Sequence, residues 1–320
     1  VTKVLVVVDH DAGVPRVTAA ELATLGRQLG AVDAVWFGDG AARAAVELGR
    51  FGVDRVHEIP VPGPAADLPR SRAAALATLV TESGAHTVLL ASTFAHKELA
   101  AHLALGIDAG LMIDATGVED SPTGPVWTQR AFAATWVLRG QVTRERSVVT
   151  VAANAVAAEP VTEPAAAAVL RREPTEALDG VTVVEHRERA VSGRPALREA
   201  QVVVVGGRGT GGDFGPVEEF ADTLGGAVGA TRDATDEGWI DHAVMIGQTG
   251  TTIAPRLYVG AGVSGAVHHR GGMMAAQFVV AVNADVDAEI FEFADIGVVG
   301  DLFTVLPQAA AEVRRLRGSG

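Results

Sequence analysis

Residues 246–283 read IGQTGTTIAPRLYVGAGVSGAVHHRGGMMAAQFVVAVN, and this stretch decides the fold. A hydroxyl, an amide, two imidazoles and many glycines share a short segment, bracketed by strand-like runs at Ala243–Ile246 and Phe278–Val282. Each run ends in residues that reach for a ligand: Gly247-Gln248-Thr249 after the first and Asn283 after the second. In an open α/β sheet ligands bind at such strand ends. The mixture suits a bound polar cofactor better than a core.

Working outward, a βα pattern begins with the strand Gln201–Val205, passes through GGRGTGG and enters a helix with Val217, Phe220 and Leu224 on one face. Residues 207–212 satisfy G-x-G-x-x-G after a strand and before a helix, the setting of the dinucleotide fingerprint. The next strand, Ala227–Ala230, ends in Thr231-Arg232 rather than in the acidic residue that would hold ribose hydroxyls. An arginine there still fits a 2′-phosphate, so a nicotinamide reading stays open. A tight turn needing positive φ explains the glycines equally well.

The first half alternates strand and helix. Val4–Val8 is a buried first strand, Thr18 with Glu21 forms a capping box, and Leu22, Leu25 and Leu29 recur at helical spacing. Ala34–Phe37, Arg55–Ile59 and Thr87–Leu90 are further strands, with a helix marked by Leu76, Leu79 and Val80. This rhythm predicts a mostly parallel sheet. Ala131–Val137 and Val148–Val151, around the turn Arg144-Glu145-Arg146, read as an antiparallel edge pair. Between about Ala157 and Ala196 the composition shifts to alanine, proline and alternating charges, with Val181–Val184 as an edge strand, and a boundary belongs there. The expected domains are 1–189 and 190–320.

Composition excludes several classes. The chain has 320 residues, 48% of them apolar, enough for two cores. The absence of cysteine excludes disulfides, thiol redox pairs and cysteine-ligated iron–sulfur clusters, so any electrons are carried by an organic cofactor. A net charge of −13 argues against binding nucleic acid through its phosphate backbone. No apolar run approaches the roughly 18 residues of a membrane span. His96 and His102 superficially suggest a zinc helix, but six residues turn a helix by about 240° beyond one full circle, away from a shared face. His268 and His269, read as neighbours on a strand, point to opposite faces, so no metal site is expected.

Six pieces in order, GGRG, TRDATDEGW, IGQTG, VSGAVHH, VAVN and GDLF, resemble the alpha subunit of electron transfer flavoproteins. The first domain is similar more loosely, chiefly in LLASTFAHKELAAHLALGIDAGL, and reads Ala134-Thr135 where relatives often carry Gly-Asn. The resemblance implies an N-terminal mostly parallel α/β domain and a C-terminal FAD-binding α/β domain with a parallel sheet. It implies extended FAD, its isoalloxazine facing a beta subunit that forms a heterodimer with this chain and holds AMP. It further implies an electron carrier without its own substrate turnover, passing electrons from flavin dehydrogenases, such as the acyl-CoA dehydrogenases of fatty acid β-oxidation, to a quinone oxidoreductase. A bacterial member is expected in the cytoplasm and a eukaryotic one in the mitochondrial matrix.

The resemblance also implies roles. Arg208 and Thr231 serve the pyrophosphate region, helped by Ser264 and the backbone of Gly265, Ala266 and Val267. Arg232 lies by the isoalloxazine, where its charge favours the reduced anion. Ile246, Gly247 and Gln248 lead to Thr249, which bonds flavin N5; His268 and His269 lie toward the N1–C2 side. Asn283, Asp301 and Leu302 hold the adenosine end. Relatives usually have glutamine at the position of His268, lysine at that of Thr251 and small or apolar residues at those of Asp233 and Thr235. Taken singly, Arg208 is a surface charge, Thr249 closes a turn and Asp301 caps a helix; their joint order gives them weight. The competing readings are an NADP-linked oxidoreductase with Arg232 on the 2′-phosphate, and a noncatalytic nucleotide-binding module.

Overall fold

The computed structural model describes residues 2–61, 66, 68–132, 135–173, 184–185 and 193–318. The chain divides into two compact units, Val1–Arg130 with Val137–Glu188, and Ala131–Trp136 with Arg189–Gly320. The expected boundary at 189/190 and the strand expected at 181–184 lie outside the described residues, save Val184, and so does Ala134.

The first unit runs β1 Lys3–Val8, a short hairpin of β2 His10–Asp11 and β3 Val14–Pro15, α1 Val17–Arg27, β4 Ala31–Phe37, α2 Ala45–Arg50, β5 Val53–Ile59 and α3 Pro69–Ser83. It continues with β6 Thr87–Ala91, α4 Phe94–Gly106, β7 Gly110–Glu119, β8 Val126–Ala131, β9 Trp136–Gln141, β10 Ser147–Val151 and β11 Ala168–Arg171. The nine-stranded sheet has the order β11-β5-β4-β1-β6-β10-β7-β8-β9. It is parallel from β11 to β7, and β8 runs antiparallel to β7. Because side chains alternate along a strand, β1 feeds two cores. Val4, Val6 and Val8 pack with Leu22 and Leu25 of α1, whereas Leu5 and Val7 pack with Leu76 of α3 and Leu99 of α4.

Three expectations are corrected here. Val148–Val151 is no edge strand: β10 lies between β6 and β7, parallel to both, and its five residues are all buried. An unbroken apolar run belongs to a strand covered on both faces. Thr18 and Glu21 form no capping box, since α1 begins at Val17 after Arg16 with no side-chain cap. Both are buried within the helix, and the Glu21 carboxylate accepts the Asn154 N–H at 3.0 Å. His96, set aside above as a zinc ligand, is buried, with Nε2 3.2 Å from Asp9. Finally, the Ala/Pro-rich stretch contributes β11, held less by apolar packing than by Arg171 to Glu58 and Asp39, and by Arg172 to the His57 ring.

The second unit runs β12 Val202–Gly206, α5 Gly215–Leu224, β13 Ala227–Ala230, α6 Arg232–Asp236, β14 Leu257–Ala261, α7 Val267–Met273, β15 Phe278–Asn283, β16 Ile296–Val299 and α8 Leu302–Arg317. All five strands are parallel, in the order β13-β12-β14-β15-β16. Val217 and Phe220 of α5 and Leu302 and Leu306 of α8 cover one face; Tyr258, Met273 and Ile290 belong to the core on the other. Ala243–Ile246 is not a strand. His242–Val244 forms a 3-10 turn, and only single bridges, Ala230 to Met245 and Ile246 to Thr251, join this stretch to the sheet. Its apolar residues pack without entering a ladder. Among the described residues no helix is long and apolar enough to cross a membrane.

Candidate functional site

Parallel strands bring all their carboxyl ends to one edge, so the sheet of the second unit gathers the predicted residues without further folding. Gly207 and Arg208 follow β12, Thr231 and Arg232 follow β13, Ser264 to His269 follow β14, Asn283 closes β15, and Asp301 follows β16. Strand order reverses direction between β12 and β14, the crevice at which open α/β sheets bind ligands.

The glycines of the fingerprint divide into two kinds. Gly207 and Gly209 have negative-φ or unremarkable backbone but press on the loop after β14: a Cβ on Gly207 would stand 2.3 Å from the Gly262 carbonyl oxygen, and one on Gly209 would stand 2.6 Å from the Gly262 Cα. Gly209 N–H donates to that carbonyl at 3.0 Å, stitching the loops together. Gly211 and Gly212 have φ of 58° and 93°, which L side chains rarely adopt. A 3-10 turn at Arg208–Thr210 and these two glycines separate β12 from α5. The fingerprint therefore does not open directly into a helix, as the nicotinamide reading requires.

Thr231 stands at the start of α6 with its N–H bonded to the Gly206 carbonyl at 3.1 Å. Its side chain caps nothing, and its Oγ1 is buried without a hydrogen-bond partner. A buried hydroxyl left unpaired costs about 1–3 kcal/mol, which a ligand acceptor at this strand end would recover. The two arginines flank it, both exposed: Arg208 Nε is 3.1 Å from Asp233 Oδ2, and Arg232 Nε is 3.1 Å from Asp236 Oδ2. His242 Nε2 lies 3.2 Å from the other oxygen of Asp236.

Residues 247–250 form a turn, closed by Gly250 N–H to the Gly247 carbonyl, with Gln248 and Thr249 exposed at its centre. The turn is clamped to α7: Gln248 N–H donates to the His268 carbonyl at 3.0 Å, and a Cβ on Gly272 would stand 2.4 Å from Gly247 N. His268 and His269 thus lie on a helix and not on a strand, which corrects the sequence reading; the 3.6-residue turn still sends them apart. His268 is exposed, its Nδ1 3.3 Å from Gln248 Oε1. His269 is buried, its Nε2 2.8 Å from the Tyr258 hydroxyl and its Nδ1 3.1 Å from the Ile246 carbonyl. Burial lowers its pKa to about 4, so the ring is neutral at pH 7.

Farther along the edge, Ser264 is exposed and its carbonyl accepts Ile290 N–H at 2.9 Å; Gly265, Ala266 and Val267 lead into α7. Asn283 Nδ2 donates to the Val263 carbonyl at 2.9 Å, so its side chain braces the loop after β14. Asp301 caps α8, accepting Phe303 N–H at 3.1 Å, and Leu302 is buried beneath it. Sequence reasoning passed over Tyr258, the chain's single tyrosine, and Gly262 and Gly272, whose backbones the neighbouring turns touch. A lone tyrosine inside the apolar run LYVGA was the available signal.

The model of the electron transfer flavoprotein domain matches residues 4–177, and that of the electron transfer flavoprotein FAD-binding domain matches residues 196–274. The electron transfer flavoprotein subunit alpha of Mycobacterium leprae is 39% identical over 318 residues, covering 98% of this chain and 99% of that protein. Those of Syntrophomonas wolfei and Bacillus subtilis are 36% and 30% identical, over 96% and 98% of this chain and 97% and 98% of theirs.

Proposed function

The chain belongs to the electron transfer flavoprotein alpha-subunit family, and we propose that it binds FAD along the carboxyl edge of β13, β12, β14, β15 and β16 and carries electrons without turning over a substrate of its own. The observation that carries this reading is the buried, unpartnered Thr231 hydroxyl at a strand end flanked by two exposed arginines, beside a crevice closed by backbone contact of Gly207 and Gly209 with Gly262. When bound, the flavin supplies reversible one- and two-electron chemistry.

This chain's own residues would do the rest. Thr231 and Arg208 donate to the pyrophosphate, with Ser264 and the Gly265–Val267 backbone. Asn283, Asp301 and Leu302 border the adenosine end, Asn283 and Asp301 having lone pairs left beyond their structural bonds. Arg232 stands by the ring as a permanent charge, and Thr249 offers a hydroxyl to N5 from the turn of residues 247–250, which Ile246, Gly247 and Gln248 complete. His268 faces the same side exposed, in place of the usual glutamine. His269, bonded to Tyr258 and to the Ile246 carbonyl, would border the N1–C2 side as a neutral ring.

A beta subunit completes the heterodimer and carries AMP in this reading, which the alpha-subunit names of the relatives support. Flavin dehydrogenases and a quinone oxidoreductase are transient partners, and domains of 1–189 and 190–320 remain the division we favour. Relatives named from bacteria and, for Dictyostelium discoideum, as mitochondrial support a cytoplasmic or matrix location according to source. The test is co-expression with an electron transfer flavoprotein beta subunit, followed by absorbance and nucleotide extraction. A yellow heterodimer releasing one FAD, with AMP on the partner, is expected; a colourless protein that retains NADP would overturn the proposal.

A further inference from the structure

Beneath the exposed face of the site lies a buried polar pair to whose tyrosine the flavin reading gives no task. Tyr258 is the second residue of β14 and has no exposed surface, in a cluster with Val203, Val205, Ile246, Ile253 and Met273. Its hydroxyl is 2.8 Å from His269 Nε2, and the opposite ring nitrogen is 3.1 Å from the Ile246 carbonyl. A carbonyl only accepts, so Nδ1 carries the proton and Nε2 presents a lone pair. The tyrosine hydroxyl, driven far up by burial, is the donor to it.

We propose that Tyr258 is a positioning residue, whose hydroxyl holds His269 as the neutral Nδ1–H ring so that this ring, through the Ile246 carbonyl, fixes the turn that carries Gln248 and Thr249. Three elements meet in the pair: β14 supplies the donor, α7 the ring, and the segment after β13 the carbonyl. The same turn is clamped again by Gln248 N–H on the His268 carbonyl, one residue before the ring in α7. Desolvation lowers the ring's pKa and outweighs the Ile246 carbonyl, which pulls it up, in surroundings that are otherwise apolar: Ile246, Ile253 and Met273. Resting on the flavin reading, the consequence is that the N1–C2 side meets a neutral dipole, and that His269 adds no pH dependence to the flavin between about pH 5.5 and 8.

The experiment is nitrogen NMR of the full chain with its partner subunit, labelled in histidine, with the His269 signals identified by their loss in His269→Gln. In the unsubstituted protein Nδ1 should be protonated, Nε2 unprotonated, and both unchanged from pH 5.5 to 8. Tyr258→Phe keeps the ring's packing and removes only the hydroxyl, so the proton affinity of His269 should rise roughly threefold to tenfold, the worth of one hydrogen bond. Hydrogen exchange at Gln248 N–H should quicken, and the first flavin potential should acquire a pH dependence below pH 6. A protonated Nε2 in the unsubstituted protein at pH 7 overturns the proposal, whatever the variant does. Unchanged ring titration and unchanged exchange in Tyr258→Phe overturn it as well. A protein with the expected ring but no flavin would reject the proposed function and leave the positioning role standing.

Discussion

Replacing Arg232 by alanine tests the electrostatics of the site most directly, because the structure supplies both the charge and its counterweight. A unit charge at contact distance, about 4 Å, is worth about 1 kcal/mol in water and about 4 kcal/mol at an effective dielectric of 20. At about 59 mV per 1.4 kcal/mol for one electron, these limits are about 40 and 170 mV. The Arg232 side chain is 61% exposed, so solvent screening puts the effect in the lower part of that range, a fall of about 40–90 mV in the first reduction potential. Asp236, 3.1 Å from the guanidinium, opposes it from roughly 3 Å farther away. Asp236→Asn should therefore raise the same potential, by about half as much, or about 20–50 mV. Spectroelectrochemistry of the heterodimer, as a cycle of both single variants and the double, is the assay. Unchanged potentials in Arg232→Ala, or a shift of the same sign in Asp236→Asn, would remove the pair from the ring; lost NADP affinity instead would favour the nicotinamide reading.

Other consequences follow from neighbouring positions. Thr231→Val removes the orphaned hydroxyl, so the flavin-free protein should gain about 1 kcal/mol of stability while FAD binds about 2- to 12-fold more weakly, as thermal melts and fluorescence titration would show. Gly207→Ala drives a Cβ onto the Gly262 carbonyl and should cost several kcal/mol, whereas Gly211→Ala meets open space and should cost only about 1–2 kcal/mol for its positive φ; urea midpoints rank the two. His269 binds its proton more weakly folded, at about 4, than unfolded, at 6.5, so its contribution to stability is whole above pH 6.5 and is lost as pH falls toward 4. The loss is on the order of 3 kcal/mol, read as the pH slope of urea stability that disappears in His269→Gln.

The fold was legible wherever one strand's pattern decided it. The runs at 4–8, 34–37, 55–59, 87–90 and 227–230 all lie in strands of a largely parallel architecture. The reading slipped where burial comes from sheet order. Val148–Val151 carries the signature of a central strand, but nothing local says that the chain returns after β9 to insert between β6 and β7. At the site, chain order found the strand ends because parallel pairing aligns them automatically. It did not find Tyr258, whose hydroxyl matters only through a histidine eleven residues on, nor the helix under His268 and His269, where glycines at 271 and 272 dilute the helical signal.

The acidic partners of the two arginines have different consequences. Arg232 and Asp236 are four residues apart on one helical turn, so their pairing is local; Arg208 and Asp233 join the 3-10 turn after β12 to α6. A pyrophosphate reaching Arg208 must displace the Asp233 carboxylate or share the guanidinium with it. Asp233 thus weakens the capture of a dianion by a chain that already carries a net charge of −13. An exposed ion pair is worth about 0.2–1 kcal/mol, so Asp233→Ala should tighten FAD binding to this chain about 1.4- to 5-fold. Because both side chains are more than half exposed, the gain should shrink as salt is raised from 50 to 300 mM. Titration with FAD at the two salt concentrations reads this directly. Tightening that persists undiminished in salt would mean that Asp233 acts by shape, and no tightening at all would mean that Arg208 does not meet the phosphates.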